Sequence, residues 1–298
     1  EKLYFYLCRI VYFLLEKTML NILKKNLEKF WKLHTNKLER NIELKNKYHN
    51  ETCFIFGNGG SLKFFDFSNF REAHTFITSW GLLNHNLKNN TFNYCIIPDQ
   101  YNLYPLRLNR ETNKINLNYE RVIWKKIIKE NENTTFITSL TNYYSYLFNK
   151  RKVYYYYSTE KNTYYQNSLH NNFNYDKGSL DVMIGLAKYM GFKEAILIGC
   201  DYLGIPKLEG HFYSNKDPFI GKNVDNTYHS RINKISEGIK IKLILPSHIE
   251  GNNFNKLENL SNFNIIESKI PSKNSDLITH DDLNKLYIAG EKNKNIFV

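Results

Sequence analysis

Short apolar and β-branched runs recur along the chain, separated by stretches with helical spacing. Residues 53–56, 74–78, 94–97, 135–138 and 153–157 read as strands. Residues 179–190 read as a helix, with Leu180, Met183, Ile184 and Ala187 on one face and Gly191 as the stop. A central strand follows at 195–198, another at 239–245 ending before Pro246, and a last one at 264–266. Strands alternating with helices predict an α/β fold, a parallel sheet with helices on its faces. Residues 51–268 would form this unit, with an extension over 1–50 and a peripheral segment over 269–298. In the run Tyr154-Tyr155-Tyr156-Tyr157, strand alternation predicts two rings on each face, which suits packing better than a stacking platform.

The extension has its own pattern. Residues 3–15 are almost wholly apolar and aromatic, broken by Arg9, but fall short of the ~20 residues that span a bilayer. Leu20, Leu23, Leu27, Phe30 and Trp31 then recur at helical spacing beside Lys24, Lys25, Lys29 and Lys32. Such a basic amphipathic helix either lies on an anionic membrane or packs on the domain with its lysines in water. Residues 1–35 are the candidate membrane contact, which would make the protein peripheral to an inner membrane on its cytoplasmic side. No small-residue cleavage site follows the apolar run, which counts against a secretory signal.

Charge sharpens this division. The 298 residues carry a formal +12, and the first 50 hold eleven Lys and Arg against five Glu, half of the excess. What remains is a modest field, suited to small anionic substrates and no argument for nucleic acid. At 42% apolar and 15% aromatic the chain has ample material for a core. Cys8, Cys53, Cys95 and Cys200 stand far apart without a CxxC pair, which suggests neither a disulfide framework nor a zinc site and fits a reducing compartment. No HExxH, GxxxxGK[ST] or GxSxG is present.

The most informative segment is Phe54-Ile55-Phe56-Gly57-Asn58-Gly59-Gly60-Ser61-Leu62, a hydrophobic strand running into a glycine turn. Glycines there allow close backbone approach, and exposed N–H groups in such a turn can hold a phosphate. It is not the dinucleotide GxGxxG, because no third glycine opens a helix. A tight turn without a ligand is the plainer alternative.

The segment Gly57 to Lys63 with Asp66-Phe67-Ser68 resembles the first-strand motif of the bacterial sialyltransferases of glycosyltransferase family 42, which modify lipooligosaccharide. It is also similar to that of the flagellin-modifying transferases of the motility accessory factor group. A second block agrees: Gly178-Ser179, the helix, then Gly191-Phe192-Lys193-Glu194-Ala195-Ile196-Leu197-Ile198-Gly199-Cys200-Asp201-Tyr202. A third is Asn226-Thr227-Tyr228-His229-Ser230, placed like the family's catalytic His-Ser. Together they extend over roughly residues 52–246.

The resemblance implies a Rossmann-like parallel sheet of the modified GT-A kind, with a CMP-linked nonulosonic acid over the carboxyl ends of the strands. Asn58, Gly59 and Ser61 would meet phosphate and ribose, Gly178 and Ser179 would lie near the donor, and Asp201 and Tyr202 beside the cytidine and phosphate, with Gly57, Gly60 and Gly199 completing the nucleotide-sugar-binding set. The chain departs from the family in three places. Ser79-Trp80 replaces an Asn after the second strand, Pro98-Asp99-Gln100 an Asn-Pro after the third, and Gly210-His211-Phe212-Tyr213 the phosphate-binding tyrosines. Ser79, Asp99 and Tyr213 are therefore the candidates at those positions.

Transfer from such a donor needs a base for the acceptor hydroxyl, and histidine, with an ordinary pKa of about 6.5, suits it. The resemblance favours His229; His211, in the glycine-containing loop after Asp201, is the rival, and His248 reads as a rim residue. Tyr202, Tyr213 and Tyr228 could donate to the departing phosphate. No Asp-x-Asp occurs, and Asp281-Asp282 reads as a helix N-terminal pair. The expected enzyme is inverting, uses no metal and no cofactor beyond its CMP-sugar substrate, and acts on a lipooligosaccharide or capsule acceptor; an oligomer is compatible with this. Two other classes stay open: an ATP- and Mg²⁺-dependent enzyme resembling pterin pyrophosphokinases, and a non-enzymatic basic membrane- or nucleic-acid-binding module.

Overall fold

A computed structural model describes residues 26, 29–64, 70, 73–83, 92–108, 115–148, 152–158, 168–175, 178–203, 208–213, 219–220, 226–246 and 263–268. The apolar run 3–15, most of the basic helix after it, Cys8, residues 66–68, His248 and the segment 269–298 lie outside the described residues. In chain order the strands are β1 (Thr52–Phe56), β2 (His74–Thr78), β3 (Tyr94–Ile97), β4 (Leu106–Leu108), β5 (Ile115–Leu117) and β6 (Thr135–Ser139). They continue as β7 (Val153–Tyr156), β8 (Glu194–Ile198), β9 (Leu208–Glu209), β10 (Phe219–Ile220), β11 (Lys240–Pro246) and β12 (Phe263–Ser268). The α-helices are α1 (Arg121–Glu130), α2 (Ser179–Tyr189) and α3 (Asn226–Ile235).

Eight of these strands form one sheet in the order β12-β11-β8-β1-β2-β3-β6-β7. Every pairing in it is parallel. The predicted α/β parallel sheet is therefore what the chain forms, with each predicted strand present to within a residue or two. β4–β5 and β9–β10 are small antiparallel pairs outside it.

Alternation along the strands divides the interior into two layers. Cys53, Ile55, Phe76, Ile96 and Ile137 face one core, which α2 covers. Phe56, Ile77, Cys95, Ile97 and Phe136 face the other, which α1 covers through Ile123, Trp124, Ile127 and Ile128. Burial on both faces is what a parallel sheet requires. Cys53, Cys95 and Cys200 are free and buried, and burial pushes each thiol above its ordinary pKa.

Helix α2 is apolar nearly all round, as a helix enclosed by its domain should be. It stops as predicted. Gly191, at φ +86°, donates to Lys188 O, and Phe192 N–H reaches back to Ala187 O, closing a Schellman motif. Asn46, Tyr48 and Asn50 donate to Tyr189, Met190 and Gly191 just before β1 begins. The C-terminus of α2 thus lies at the amino end of the sheet, and Gly178-Ser179 at its carboxyl end.

The described part of the extension packs on the sheet. A 3₁₀ helix over Thr35–Leu44 lies along the edge strand β7, with Leu38, Asn41 and Leu44 buried. Asn41 Nδ2 donates to Tyr155 O at 2.6 Å and Leu169 O at 2.7 Å. Among the described residues no helix is long and apolar enough to cross a membrane.

Candidate functional site

The order of the sheet singles out one place. From β1 the chain adds β2, β3, β6 and β7 on one side, then returns to lay β8, β11 and β12 on the other. The direction reverses between β1 and β8, and the crevice outside the carboxyl ends at such a reversal is where open α/β sheets bind ligands. The glycine turn leaves β1 there, and Gly199-Cys200-Asp201 leaves β8 beside it.

The two segments are bonded directly. Gly57 N–H donates to Ile198 O and Gly59 N–H to Gly199 O, both at 2.8 Å. Asp201, fully buried, accepts the Ser61 N–H on Oδ2 at 2.8 Å and the Ser61 hydroxyl on Oδ1. A third segment closes over them: Gly60 N–H donates to Gly210 O, Phe212 N–H donates to Asn58 O, and Gly59 forms an isolated antiparallel bridge with His211. These contacts fix which residues must be glycine. A Cβ on Gly59 would sit 2.4 Å from the Asp201 carboxylate, and one on Gly57 would sit 2.3 Å from Gly199 O.

The expectation that exposed amides of this turn hold a phosphate needs correction. The N–H groups of Gly57, Gly59, Gly60 and Ser61 all donate within the protein. The glycines serve close backbone packing between three segments, and Ser61 and Asp201 face one another in the interior. Asn58 differs. Its Oδ1 is buried without a hydrogen-bond partner, and a Cβ on Gly81, in the 3₁₀ turn Ser79–Leu83 after β2, would lie 3.6 Å from it. An orphaned acceptor at the reversal point suits a donor group arriving from outside.

His211 is exposed, its ring stacked on Tyr213 with centroids 4.8 Å apart and planes 13° from parallel. Its Nδ1 lies 3.3 Å from Asn58 O. A carbonyl only accepts, so this contact puts the proton of the neutral ring on Nδ1 and leaves Nε2 with the lone pair. Burial pushes Tyr213 up to about 12, so its hydroxyl stays a proton donor at neutral pH. Burial likewise raises Asp201 to about 6, against the pull of its two Ser61 donors.

His229 is the fourth residue of α3. Two residues on, Arg231 Nε lies 3.1 Å from Oδ2 of Asp181, a fully buried carboxylate in the first turn of α2. This ion pair fixes the helix that carries His229 against the helix that begins at Gly178. Asp99 is exposed after β3, accepting from Asn102 Nδ2 at 3.4 Å, and stands two strands from the turn. Tyr202 is half-buried against the α2 core.

No protein-family model matches the chain, and no curated protein does. Among solved structures, it is similar to the sialyltransferase CstII from Campylobacter jejuni, determined in complex with a substrate analogue, cytidine-5'-monophosphate. The two share 15% identity, and the superposition covers 81% of this chain and 98% of that one at a TM-score of 0.38. What the site does rests on its own geometry.

The roles of three residues of the site escaped sequence reasoning. Gly210 supplies the carbonyl that braces Gly60, Gly81 lies against Asn58, and Arg231 pairs with Asp181. The first two leave only a glycine as signal; the pair joins residues 50 positions apart with no motif. Among the described residues, no three His, Cys, Asp or Glu side chains gather as metal ligands.

Proposed function

We propose that this protein is a sialyltransferase-like glycosyltransferase of the modified GT-A kind. It would transfer a nonulosonic acid from CMP to a hydroxyl of a surface glycan, lipooligosaccharide or capsule, with inversion and without a metal ion. The supporting observation is the braced glycine turn at the reversal between β1 and β8, with the unsatisfied Asn58 Oδ1 on it. That acceptor suits a ribose hydroxyl. Gly178-Ser179 opens an eleven-residue helix at the same end of the sheet, and its positive end favours the single phosphate of CMP.

In the reaction, the acceptor oxygen attacks C2 of the donor sugar while a histidine takes its proton. The C2–O bond to phosphate breaks, and CMP leaves with the electron pair. His229 is the base on this reading, supported by the resemblance of Asn226-Thr227-Tyr228-His229-Ser230 to the family's His-Ser. His211 is the second candidate, supported by its bond to the turn. Tyr213 and Tyr202 would donate to the departing phosphate. Asp201 and Ser61 act beneath the site, holding the two loops in register.

Residues 1–35 would hold the enzyme to the cytoplasmic face of the inner membrane. Phe30 and Leu33, exposed among Lys29 and Lys32, support this. The test is release of CMP from a CMP-nonulosonate on adding acceptor. Turnover lost in a His229→Ala variant that still binds CMP supports the assignment. Protection from unfolding by ATP and not by CMP would reject it.

A further inference from the structure

At the far edge of the sheet, four inter-strand steps or roughly 19 Å from β1, lies a second concave site. The 3₁₀ helix Thr35–Leu44 packs on β7, and between it and the turn Leu140–Ser145 opens a cavity of about 480 Å³. Tyrosine and cation dominate its walls: Tyr143, Tyr144, Tyr146 and Tyr154 with Lys37 and Arg40. We infer that this cavity is a glycan-binding subsite for a negatively charged sugar, separate from the donor turn.

The rings are arranged for stacking. Tyr143 and Tyr144 meet edge to face, 4.9 Å apart at 84°, and so present faces at right angles. The C–H face of a pyranose packs on the negative face of such a ring, while tyrosine hydroxyls bond its hydroxyl groups. Tyr146 stands at the mouth, 72% exposed, with its backbone at φ +57°. That left-handed position after a helix ordinarily takes glycine, so a bulky exposed ring is held there against its backbone preference.

The charge selects an anion. Arg40 lies over the Tyr154 ring at 4.8 Å and pairs with Glu43, which also accepts the Tyr154 hydroxyl. Lys37 Nζ stands 5.9 Å from the Tyr143 centroid with no carboxylate partner among the described residues. Among the described residues the cavity therefore keeps the uncompensated charge of Lys37 beside stacking faces, and Lys152 Nζ adds a second cation 5.8 Å from the Tyr154 centroid. A nucleic acid would need a track of cations following its backbone; a single compact cavity fits one or two sugar rings carrying a carboxylate or phosphate.

The occupant's role as an acceptor chain rests on the transferase reading; the cavity's chemistry does not. Isothermal titration of the full chain with sialyllactose, lactose, a short single-stranded RNA and CMP tests both. Sialyllactose is expected to bind about tenfold tighter than lactose. Lys37→Gln should erase that preference. Tyr146→Gly relieves the left-handed strain, so it should leave the melting temperature unchanged or higher while weakening sialyllactose roughly threefold to tenfold. Neither variant should alter CMP affinity. Sialyllactose binding that is absent, or indifferent to both variants while CMP still binds, overturns the subsite alone, as does RNA competing for the cavity. Sialyllactose bound without CMP would sustain the subsite and overturn the donor reading.

Discussion

Asp201 is bound at both carboxylate oxygens by one residue, Ser61, through its backbone N–H and its hydroxyl. Both side chains are removed from water, so a change in either is felt in the joint between β1 and β8. Ser61→Ala leaves a buried carboxylate with one donor fewer, an expected loss of about 1–3 kcal/mol. Urea unfolding should show a lower midpoint with an unchanged slope.

The same carboxylate gives a pH signature. Its folded-state pKa of about 6 stands above the ordinary 3.8, so the folded protein holds a proton that the unfolded chain has released. Stability from this group is complete below the ordinary pKa of 3.8 and is lost as pH climbs through 6, by roughly 3 kcal/mol in all. Melting curves of wild type and Asp201→Asn across this range should differ by that slope. Parallel curves would place the titration elsewhere.

Gly59→Ala drives a methyl into the Asp201 carboxylate at 2.4 Å and Gly199 O at 2.6 Å. Neither can retreat without opening the joint, so the expected cost exceeds about 3 kcal/mol, with loss of CMP binding. Gly238→Ala is the control. Its Cβ meets nothing within 4 Å, and only φ +83° opposes it, at about 1–2 kcal/mol.

The two histidines separate by kinetics. Removing the true base should lower turnover by about 10²–10⁴ with CMP affinity retained. We expect this of His229→Ala. His211→Ala, which loses the contact to Asn58 O and the stack on Tyr213, should instead weaken CMP binding with a smaller change in turnover. The reverse pattern would move the base to His211.

Arg231→Leu removes the guanidinium from the buried Asp181 carboxylate and should destabilise by about 3 kcal/mol. Pairing it with Asp181→Leu should recover most of that loss. A double variant no better than the single one would show that the pair does not hold α3 to α2.

Patterns of period two and the stop at Gly191 made the sheet legible. The four tyrosines divide as alternation requires, Tyr154 and Tyr156 into one core and Tyr155 and Tyr157 toward the other side. The glycine turn was legible as a candidate site because it follows a buried strand. Its bonding was not. Whether an amide faces a ligand or a neighbouring carbonyl depends on Gly199 and Gly210, more than 140 residues away, and no local pattern encodes that distance. Asp181, inside an apolar helix, gave no sign of its partner for the same reason.

The strand order also sets a schedule for synthesis. β1 can pair with β2 as soon as both leave the ribosome, but its other neighbour, β8, is translated last of the central four. Ser61 waits 140 residues for Asp201, which at 5–20 residues per second is roughly 7–28 s. During that interval one edge of β1 is open and the glycine turn has nothing to close upon. The joint between β1 and β8 is thus a late product of folding, and a chain cut short before residue 201 would carry the turn without the partner that braces it.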